Sequence, residues 1–259
     1  MKHPIVIIGI GELAGVFARG FLRCGYPVYP ITRKMDLLKE CEKIPSPELI
    51  LITVQENELK AILEKLPPTW HQKISLVQNE LLPRDWERHQ LKNPTVTVVW
   101  FEKKPNLELT NILYSPSYGP NASLIANALQ ALKIPAPILK NKDELLYELV
   151  RKALYILTVN IAGLLNNCTV GELWLKHQDL AKEIALEILC VQEFLTAKKL
   201  PQEKLINGLA EGINDCPDRH CLGRSALARL ERTLNYAKEA NINTPKLIEI
   251  YRFHKSIKH

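Results

Sequence analysis

Two glycines near the start of the chain have the spacing of a phosphate-binding turn. The six residues from Gly9 to Ala14 read Gly-Ile-Gly-Glu-Leu-Ala, so the pattern is Gly-x-Gly-x-x-Ala. The first glycine allows a tight turn, Gly11 allows a pyrophosphate to approach the backbone, and a small third residue allows close helix–strand packing. The start of the next helix, at Glu12 and Leu13, would then face the phosphates. We predict dinucleotide binding here, with an ordinary glycine-rich turn as the alternative.

A basic pair follows where a dinucleotide site recognises the ribose. About 20 residues beyond the glycines, an NAD-specific site carries Asp or Glu, whereas this sequence reads Thr32-Arg33-Lys34. Arg33 has a planar guanidinium that can bind a 2′-phosphate, and Lys34 adds a second positive charge. The pair therefore favours NADP(H) over NAD(H). A solvated basic turn is the alternative.

Two amide side chains follow predicted buried strands. Residues 49–54 form an apolar run of strand length, and residues 73–77 are expected to form another strand. Gln55 directly follows the first of these segments, and Asn79 lies two residues after the end of the second. Open α/β sheets bind ligands beyond the carboxyl ends of their strands, so both amides are candidate pocket residues. A loop amide that caps a neighbouring helix is the alternative for each.

A lysine and an asparagine lie on one stripe of a helix that is otherwise apolar. The helix predicted over residues 143–166 becomes hydrophobic nearly all round from Ala153 onward, which predicts a central helix. Lys152, Ile156 and Asn160 are four residues apart, so Lys152 and Asn160 would face one crevice about 12 Å apart. A buried ammonium needs an anion or a carbonyl oxygen beside it. The alternative is that Lys152 extends to the surface and Asn160 is a hydrogen-bonded core amide.

The elements that must hold these residues alternate between strand and helix in the first half of the chain. Residues 5–8 read Ile-Val-Ile-Ile, residues 14–22 have helical spacing of apolar side chains, and residues 28–32 form a second apolar run. Pro30 lacks the N–H of a sheet ladder, so we expect a bulge or an edge strand there. Further strands are expected at residues 95–100 and 107–114, and helices at residues 58–66 and 121–132.

From residue 142 onward nearly the whole sequence has helical patterning. We therefore predict an α/β protein with an N-terminal Rossmann-type dinucleotide-binding domain, residues 1–141, and a C-terminal all-helical domain, residues 142–259. The 259 residues are 46% hydrophobic and 24% charged, which excludes a disordered chain. The net charge of +6 is spread along the chain, and no nucleic-acid partner is expected.

Composition also bears on location and on metals. Six scattered cysteines lack the spacing of a disulfide framework, which favours a reducing, cytoplasmic location. No secretory signal precedes the first strand, and the apolar stretch at residues 153–165 is shorter than the roughly 20 residues that a bilayer requires, so no membrane partner is expected. Cys216 and Cys221 lack a second ligand pair, so we expect a loop rather than a metal site at residues 215–221.

Taken together, these motifs resemble the ketopantoate reductase (2-dehydropantoate 2-reductase) family over nearly the whole chain. The resemblance rests on the glycines, on Asn79, on Lys152 eight residues before Asn160, and on the Asn-Cys and Gly-Glu-Leu sequences that follow. It implies a two-domain reductase that holds NADPH between its domains and converts 2-dehydropantoate to pantoate in pantothenate biosynthesis. It also implies that Lys152 is the general acid and that Asn160 and Asn79 are site residues.

The sequence departs from the family pattern at four polar positions. Gln55 stands where the family has a second lysine, Ile156 where it has an asparagine, and Glu80 where it has a glycine. Ser225 lies at or near the position of a glutamate that engages the substrate. A buried site that loses a hydrogen-bond partner holds its ligand less well, so the departures bear on the substrate more than on the fold. Either Arg224 or Ser225 is expected to receive a substrate carboxylate.

We therefore predict an NADPH-dependent reductase of a small 2-oxo acid, in which Lys152 polarises the carbonyl oxygen and donates a proton to it. An NADP(H)-binding sensor or interaction protein on the same fold is the alternative. A related dehydrogenase of an amino or hydroxy acid is a third candidate. A homodimer is the expected assembly.

Overall fold

The computed structural model describes residues 2–257, which form two compact units that divide between Leu149 and Val150. The division falls inside a long helix, and the boundary expected from the sequence lies at the start of that helix. The first unit is a mostly parallel sheet with helices, and the second unit is helical. The predicted fold class is therefore confirmed.

The first unit contains the strands β1 (Ile5–Ile8), β2 (Val28–Ile31), β3 (Leu49–Ile52), β4 (Ile74–Leu76), β5 (Thr95–Thr97), β6 (Phe101–Glu102), β7 (Thr110–Asn111) and β8 (Ser117–Tyr118). Six of them form one sheet in the order β2-β1-β3-β4-β5-β8, and β6 pairs with β7 separately. In the larger sheet all neighbours are parallel except β8, which is antiparallel to β5. Because β2 and β3 lie on opposite sides of β1, the strand order reverses at β1, where open sheets bind ligands.

The helices of the first unit are α1 (Glu12–Arg23), α2 (Leu37–Lys43), α3 (Glu56–Leu63), α4 (Pro83–Glu87) and α5 (Ala122–Gln130), with a 3-10 helix at Pro68–Lys73. Helices α1 and α5 approach so closely that a Cβ atom on Gly20 would clash with the carbonyl oxygen of Ala128. The core of this unit contains large side chains from α1 and α5, among them Phe17, Phe21, Ile125 and Leu129. This packing fixes α1, and with it the glycine turn, against the sheet.

The strands differ in burial as their sequences predict. All four residues of β1 and all four of β3 are buried, as expected for the inner strands of a parallel sheet. Strand β2 lies at the edge, with Pro30 opposite Ile7 of β1. The edge position explains how Pro30 can occupy a strand, since the outer side of β2 needs no ladder donor.

The prediction of a strand at residues 107–114 is wrong, both in the length of the strand and in the sheet that it joins. Only Thr110–Asn111 forms a strand, and it pairs with Phe101–Glu102 rather than with the larger sheet. Both residues of this strand are exposed and a turn precedes them at residues 105–107, so no apolar face is available to join a sheet. The strand expected at residues 95–100 ends at Thr97.

The second unit is built around α6 (Lys142–Ala162), which begins in the first unit, with α7 (Val170–Lys176), α8 (Gln178–Thr196), α9 (Gln202–Asn214), α10 (Ala226–Glu239) and α11 (Pro245–Ile257). Residues 150–163 are all buried except Ile156, which is half-buried, so the prediction of a central helix is confirmed. The helix ends four residues before the expected end at residue 166. A Cβ atom on Gly163 would lie 2.5 Å from the backbone nitrogen of Leu222, so the chain turns here against a neighbouring loop.

That neighbouring loop, residues 215–225, lies against the segment that follows α6. The N–H of Val170 donates to the carbonyl oxygen of Arg219 at 2.7 Å, and the N–H of Cys221 donates to the carbonyl oxygen of Cys168 at 3.0 Å. These backbone bonds hold the loop in place beside the end of α6. Within residues 2–257, no three His, Cys, Asp or Glu side chains are grouped so as to hold a metal ion. A search of the same residues finds no helix with the length and apolarity needed to span a membrane.

Candidate functional site

Four predicted site positions in the first unit lie at one edge of the sheet. Strands β1 to β4 are parallel, so the residues that follow them, Gly9, Arg33, Gln55 and Asn79, are all at the carboxyl ends. This is the edge at which open α/β sheets bind ligands. The topology thus brings together residues that are up to 70 positions apart in the sequence.

Gly9 occupies a position that only glycine fits easily. Its φ of +93° belongs to the region that L-residues avoid, and an added Cβ atom would lie 3.1 Å from the backbone nitrogen of Val54. The N–H of Gly9 donates to Ile31 O at 3.0 Å, and the Thr53 hydroxyl donates to Gly9 O at 2.9 Å. The turn is therefore bonded to the ends of both β2 and β3.

Gly11 leaves open space at the start of α1. It is the N-cap residue of the helix, it supplies no side-chain cap, and an added Cβ atom would have no neighbour within 4 Å. The N–H groups of the first helical turn, at Glu12, Leu13 and Ala14, have no acceptor within the helix, and the helix dipole favours an anion there. Ala14 is buried, as close helix–strand packing requires. An uncrowded backbone edge with unpaired donors is what a dinucleotide phosphate needs, so these residues fit that group.

A lysine that the sequence did not indicate lies beside this turn. Lys103 Nζ is 3.5 Å from the Glu12 carboxylate and also donates to the backbone oxygen of Leu107 at 2.7 Å. The Glu12 carboxylate would repel a phosphate, and Lys103 offsets that charge. Since 91 residues separate the pair in the chain, no local pattern could have revealed it.

Arg33 and Lys34 lie in the exposed turn that follows β2. Neither side chain forms a hydrogen bond or an ion pair with any of residues 2–257. Two cations that no carboxylate neutralises can meet an anionic ligand group without first breaking a protein contact. The exposed location fits a ribose phosphate and also fits the solvated turn weighed above.

The two strand-end amides differ in their surroundings. Gln55 is exposed at the N-cap position of α3, but its side chain forms no cap; instead its N–H donates to the Glu58 carboxylate at 3.3 Å. Asn79 is partly exposed and makes no hydrogen bond to any of the described residues. Its neighbour Gln78 donates to Ile52 O at 2.8 Å and so binds the end of β4 to β3. Gln78 is thus the structural amide, and Asn79 is available to a ligand.

Lys152 is buried in the second unit, with 8% of its surface exposed. Its Nζ is 5.8 Å from the centroid of the Tyr155 ring, and the Arg219 guanidinium is 6.0 Å from the same ring. Arg219 also donates to the Tyr155 hydroxyl at 3.1 Å. Burial raises the pKa of Tyr155, and Arg219 opposes that rise. Lys152 therefore does not extend to the surface, which was one alternative from the sequence.

Asn160 is also buried, and both ends of its amide have protein partners. Its Nδ2 donates to the carbonyl oxygen of Cys221 at 3.1 Å, and its Oδ1 accepts from Arg229 Nη1 at 2.7 Å. Arg229 was missed in the sequence, although it lies in the apolar stripe of α10, where a charged residue is unusual.

Arg224 and Ser225, expected to receive a carboxylate, are exposed residues just before α10. Ser225 is the N-cap residue of α10 but forms no side-chain cap. Arg224 makes no side-chain hydrogen bond to a described residue. Both are available to a ligand, and neither forms a hydrogen bond with Lys152.

No protein-family model matches this sequence, and no curated protein matches it. Solved structures match nearly its full length. The chain is similar to a dimeric ketopantoate reductase from Staphylococcus aureus, with 18% identity, a TM-score of 0.65 and coverage of 98% of this chain and 99% of that one. It is also similar to a 2-dehydropantoate 2-reductase from Methylococcus capsulatus, with 12% identity, a TM-score of 0.70 and coverage of 98% and 96%. The chain has the ketopantoate reductase fold.

The same fold is found in a neighbour with another name. A D-mandelate dehydrogenase, solved with NADH and anilino(oxo)acetate, matches with 14% identity, a TM-score of 0.66 and coverage of 99% of this chain and 98% of that one. At these identities the likeness is one of fold, and it agrees with the resemblance seen in the sequence. The ketopantoate reductase fold therefore occurs in proteins named for two different substrates.

Proposed function

We propose that this protein is an NADPH-dependent reductase of a small 2-oxo acid, of the 2-dehydropantoate 2-reductase type. The observation that carries the proposal is the buried Lys152, eight residues before the buried Asn160 on the central helix of a ketopantoate reductase fold. A nicotinamide coenzyme, when bound, supplies the hydride for the carbonyl carbon. The remaining chemistry belongs to the side chains of this chain.

Lys152 is the proton donor in this proposal. As hydride reaches the carbonyl carbon, negative charge develops on the carbonyl oxygen, and an ammonium group in a site with little water stabilises that charge strongly. Transfer of a proton from Lys152 Nζ to the oxygen then completes the hydroxyl group. Asn160 and Asn79 would orient the substrate or the nicotinamide through hydrogen bonds, and Arg224 or Ser225 would receive the substrate carboxylate.

The choice of coenzyme rests on Arg33 and Lys34. The glycine turn would bind phosphates of either coenzyme, whereas two cations after β2 that pair with none of residues 2–257 favour a 2′-phosphate. A homodimer and a cytoplasmic location complete the proposal. One neighbour is described as dimeric, and the six cysteines are free thiols, which suits a reducing compartment.

A second candidate has a specific observation in its favour. A D-mandelate dehydrogenase with NADH shares the fold, and this chain has changed four polar positions of the ketopantoate reductase pattern. Oxidation of a 2-hydroxy acid, with NAD+ or NADP+, is therefore the alternative reaction. The same groups would act in reverse, with uncharged Lys152 accepting the hydroxyl proton.

The test is an absorbance assay of NADPH and NADH oxidation over a panel of 2-oxo acids that includes 2-dehydropantoate, with 2-hydroxy acids assayed in the reverse direction. Replacing Lys152 with Ala should lower kcat about 10²–10⁴-fold, the usual contribution of a general acid, while the Kd for NADPH stays unchanged. Lys238→Ala is the matched control, since Lys238 is exposed on α10 and should leave kcat unchanged.

Full activity of the Lys152→Ala variant would refute the assigned role. If the wild-type protein binds NADPH tightly but turns over no acid in either direction, the chain is instead a coenzyme-binding sensor or interaction protein.

A further inference from the structure

Arg229 is a charged residue on the buried side of α10. Only 8% of its surface is exposed. It shares a helical stripe with buried small and apolar residues of α10, namely Ala226, Leu230, Thr233 and Ala237. Placing a guanidinium in such a stripe is unfavourable unless hydrogen bonds compensate for the lost water. Its bonds therefore indicate what the residue is for.

The bond from Arg229 determines how the Asn160 amide is turned. A guanidinium only donates hydrogen bonds and a backbone carbonyl only accepts them. The 2.7 Å contact with Arg229 Nη1 must therefore involve Oδ1 of Asn160, and the 3.1 Å contact with the carbonyl of Cys221 must involve Nδ2. The reversed amide would place two donors face to face and two acceptors face to face. Charge assistance makes the arginine bond the stronger of the two.

The loop beside Asn160 packs closely against the amide in this orientation. A Cβ atom on Gly223 would lie 2.6 Å from Asn160 Oδ1 and 3.1 Å from its Cγ, so the loop approaches the amide as closely as a glycine allows. The loop is itself bonded to the chain after α6 through the N–H of Cys221. Asn160 is thus fixed from two directions, by α10 and by the loop.

We propose that Arg229 is a positioning residue that acts on the substrate through Asn160. With its oxygen bonded to Arg229 and one Nδ2 hydrogen bonded to Cys221, the amide keeps its second Nδ2 hydrogen for a ligand. Asn160 therefore offers a donor to an acceptor, such as the carboxylate or keto oxygen of a 2-oxo acid, and disfavours a group that only donates, such as an ammonium. This inference rests on the proposed function and adds the polarity of the group that Asn160 recognises.

A double-mutant cycle on kcat/KM tests whether Arg229 acts through Asn160. Arg229→Met removes the donor but keeps an unbranched side chain, and Asn160→Ala removes the amide. Each single change should lower kcat/KM for the 2-oxo acid about 10–100-fold, as expected for a lost hydrogen bond to a charged group. Adding Arg229→Met to Asn160→Ala should then cost less than about twofold, because the arginine can no longer act on the substrate through the amide. Full additivity of the two changes would overturn the proposal.

Two controls separate positioning from a general loosening of α10. Leu230→Ala removes a fully buried neighbour from the same helix, and it should lower the melting temperature without a comparable loss of kcat/KM. Arg229→Lys keeps a cationic donor and should restore part of the activity that Arg229→Met loses. If Leu230→Ala lowers kcat/KM as much as Arg229→Met does, the role of Arg229 is structural only.

A measurement on the side-chain amide keeps the inference testable if turnover is absent. In a ¹⁵N-labelled protein the Asn160 side-chain signals are assigned by their loss in Asn160→Ala. Arg229→Met should shift these signals and speed the exchange of their protons with water, while Leu230→Ala should leave them nearly unchanged. Unaltered signals in Arg229→Met would overturn the inference whatever the activity. Altered signals in a protein that turns over no acid would refute the proposed function and leave the coupling of the two residues intact.

Discussion

Gly9 and Gly11 provide a paired test of the phosphate turn. An added methyl group would meet neighbouring atoms at Gly9 but would enter open space at Gly11. At Gly11 the backbone is extended, with φ −83° and ψ −172°, and a Cβ atom would meet no neighbour within 4 Å. Alanine is a poorer N-cap than glycine, so Gly11→Ala should lower the free energy of unfolding by only about 0.5–1 kcal/mol. At Gly9, positive φ alone costs alanine about 1–2 kcal/mol, and the 3.1 Å contact with Val54 adds to that cost.

Gly11→Ala should weaken coenzyme binding strongly, although it should lower the free energy of unfolding only slightly. The open space at Gly11 is where a pyrophosphate would approach, so a methyl group there separates it from the N–H groups of Glu12 and Leu13. Losing hydrogen bonds to a charged group costs about 1.5–3 kcal/mol, which corresponds to a Kd for NADPH about 10–150-fold higher. Gly11→Ala should therefore be a well-folded variant that binds NADPH poorly.

The assay pairs thermal unfolding with titration of NADPH fluorescence. Gly15→Ala is the matched control: its Cβ atom also enters open space, but one turn further into α1. It should stabilise the helix and leave the Kd unchanged. A Gly11→Ala variant that binds NADPH as tightly as the wild type would refute the phosphate turn, and so would a Gly15→Ala variant that loses as much affinity.

Two further predictions concern the coenzyme phosphate and a buried thiol. Arg33→Ala should raise the Kd for NADPH about 10–100-fold through loss of a charge-assisted contact while changing the Kd for NADH little; equal losses in parallel titrations would remove the preference for NADP(H). Burial, and then the neighbouring Cys168, raise the pKa of Cys221 to about 12, so its thiol stays protonated at neutral pH and becomes a thiolate only as the pH approaches that value. Mass spectrometry of a limited alkylation at neutral pH should find the exposed Cys190 labelled well before Cys221, and equal labelling would contradict this.

The elements that the sequence predicts correctly are those whose buried apolar residues follow one another along the chain. Strands β1 and β3 are unbroken runs of buried aliphatic residues, and the second half of α6 is apolar nearly all round, so local pattern sufficed for each. Strand β7 is different, since its two residues are exposed and it pairs with another two-residue strand, β6. Pairing of that kind depends on where the chain turns, and hydrophobic periodicity carries no information about it.

The candidate site also contains residues that the nearby sequence identifies and residues that only their tertiary contacts identify. Gly9, Gly11 and Lys152 could be singled out because the chemistry of each is visible within a few residues of sequence. Lys103 and Arg229 could not, because each acquires its meaning from a partner far along the chain: Lys103 from Glu12, and Arg229 from Asn160. Tertiary contacts of this kind are set by packing, and the sequence hints only at Arg229, as a charged residue in the apolar stripe of α10.

The turn after β4 has a backbone conformation that suits glycine, although this chain has Glu80 there. The resemblance places a glycine after Asn79, and this chain has Glu80, yet Glu80 adopts φ +58°, in the left-handed region that glycine favours. An ordinary residue pays about 1–2 kcal/mol for that conformation, so the surrounding turn must require it. Asn79 follows β4 at the carboxyl edge of the sheet with Glu80 in this conformation. Under the proposed function, the Glu80 substitution therefore changes the chemical group beside Asn79 more than the backbone that holds Asn79.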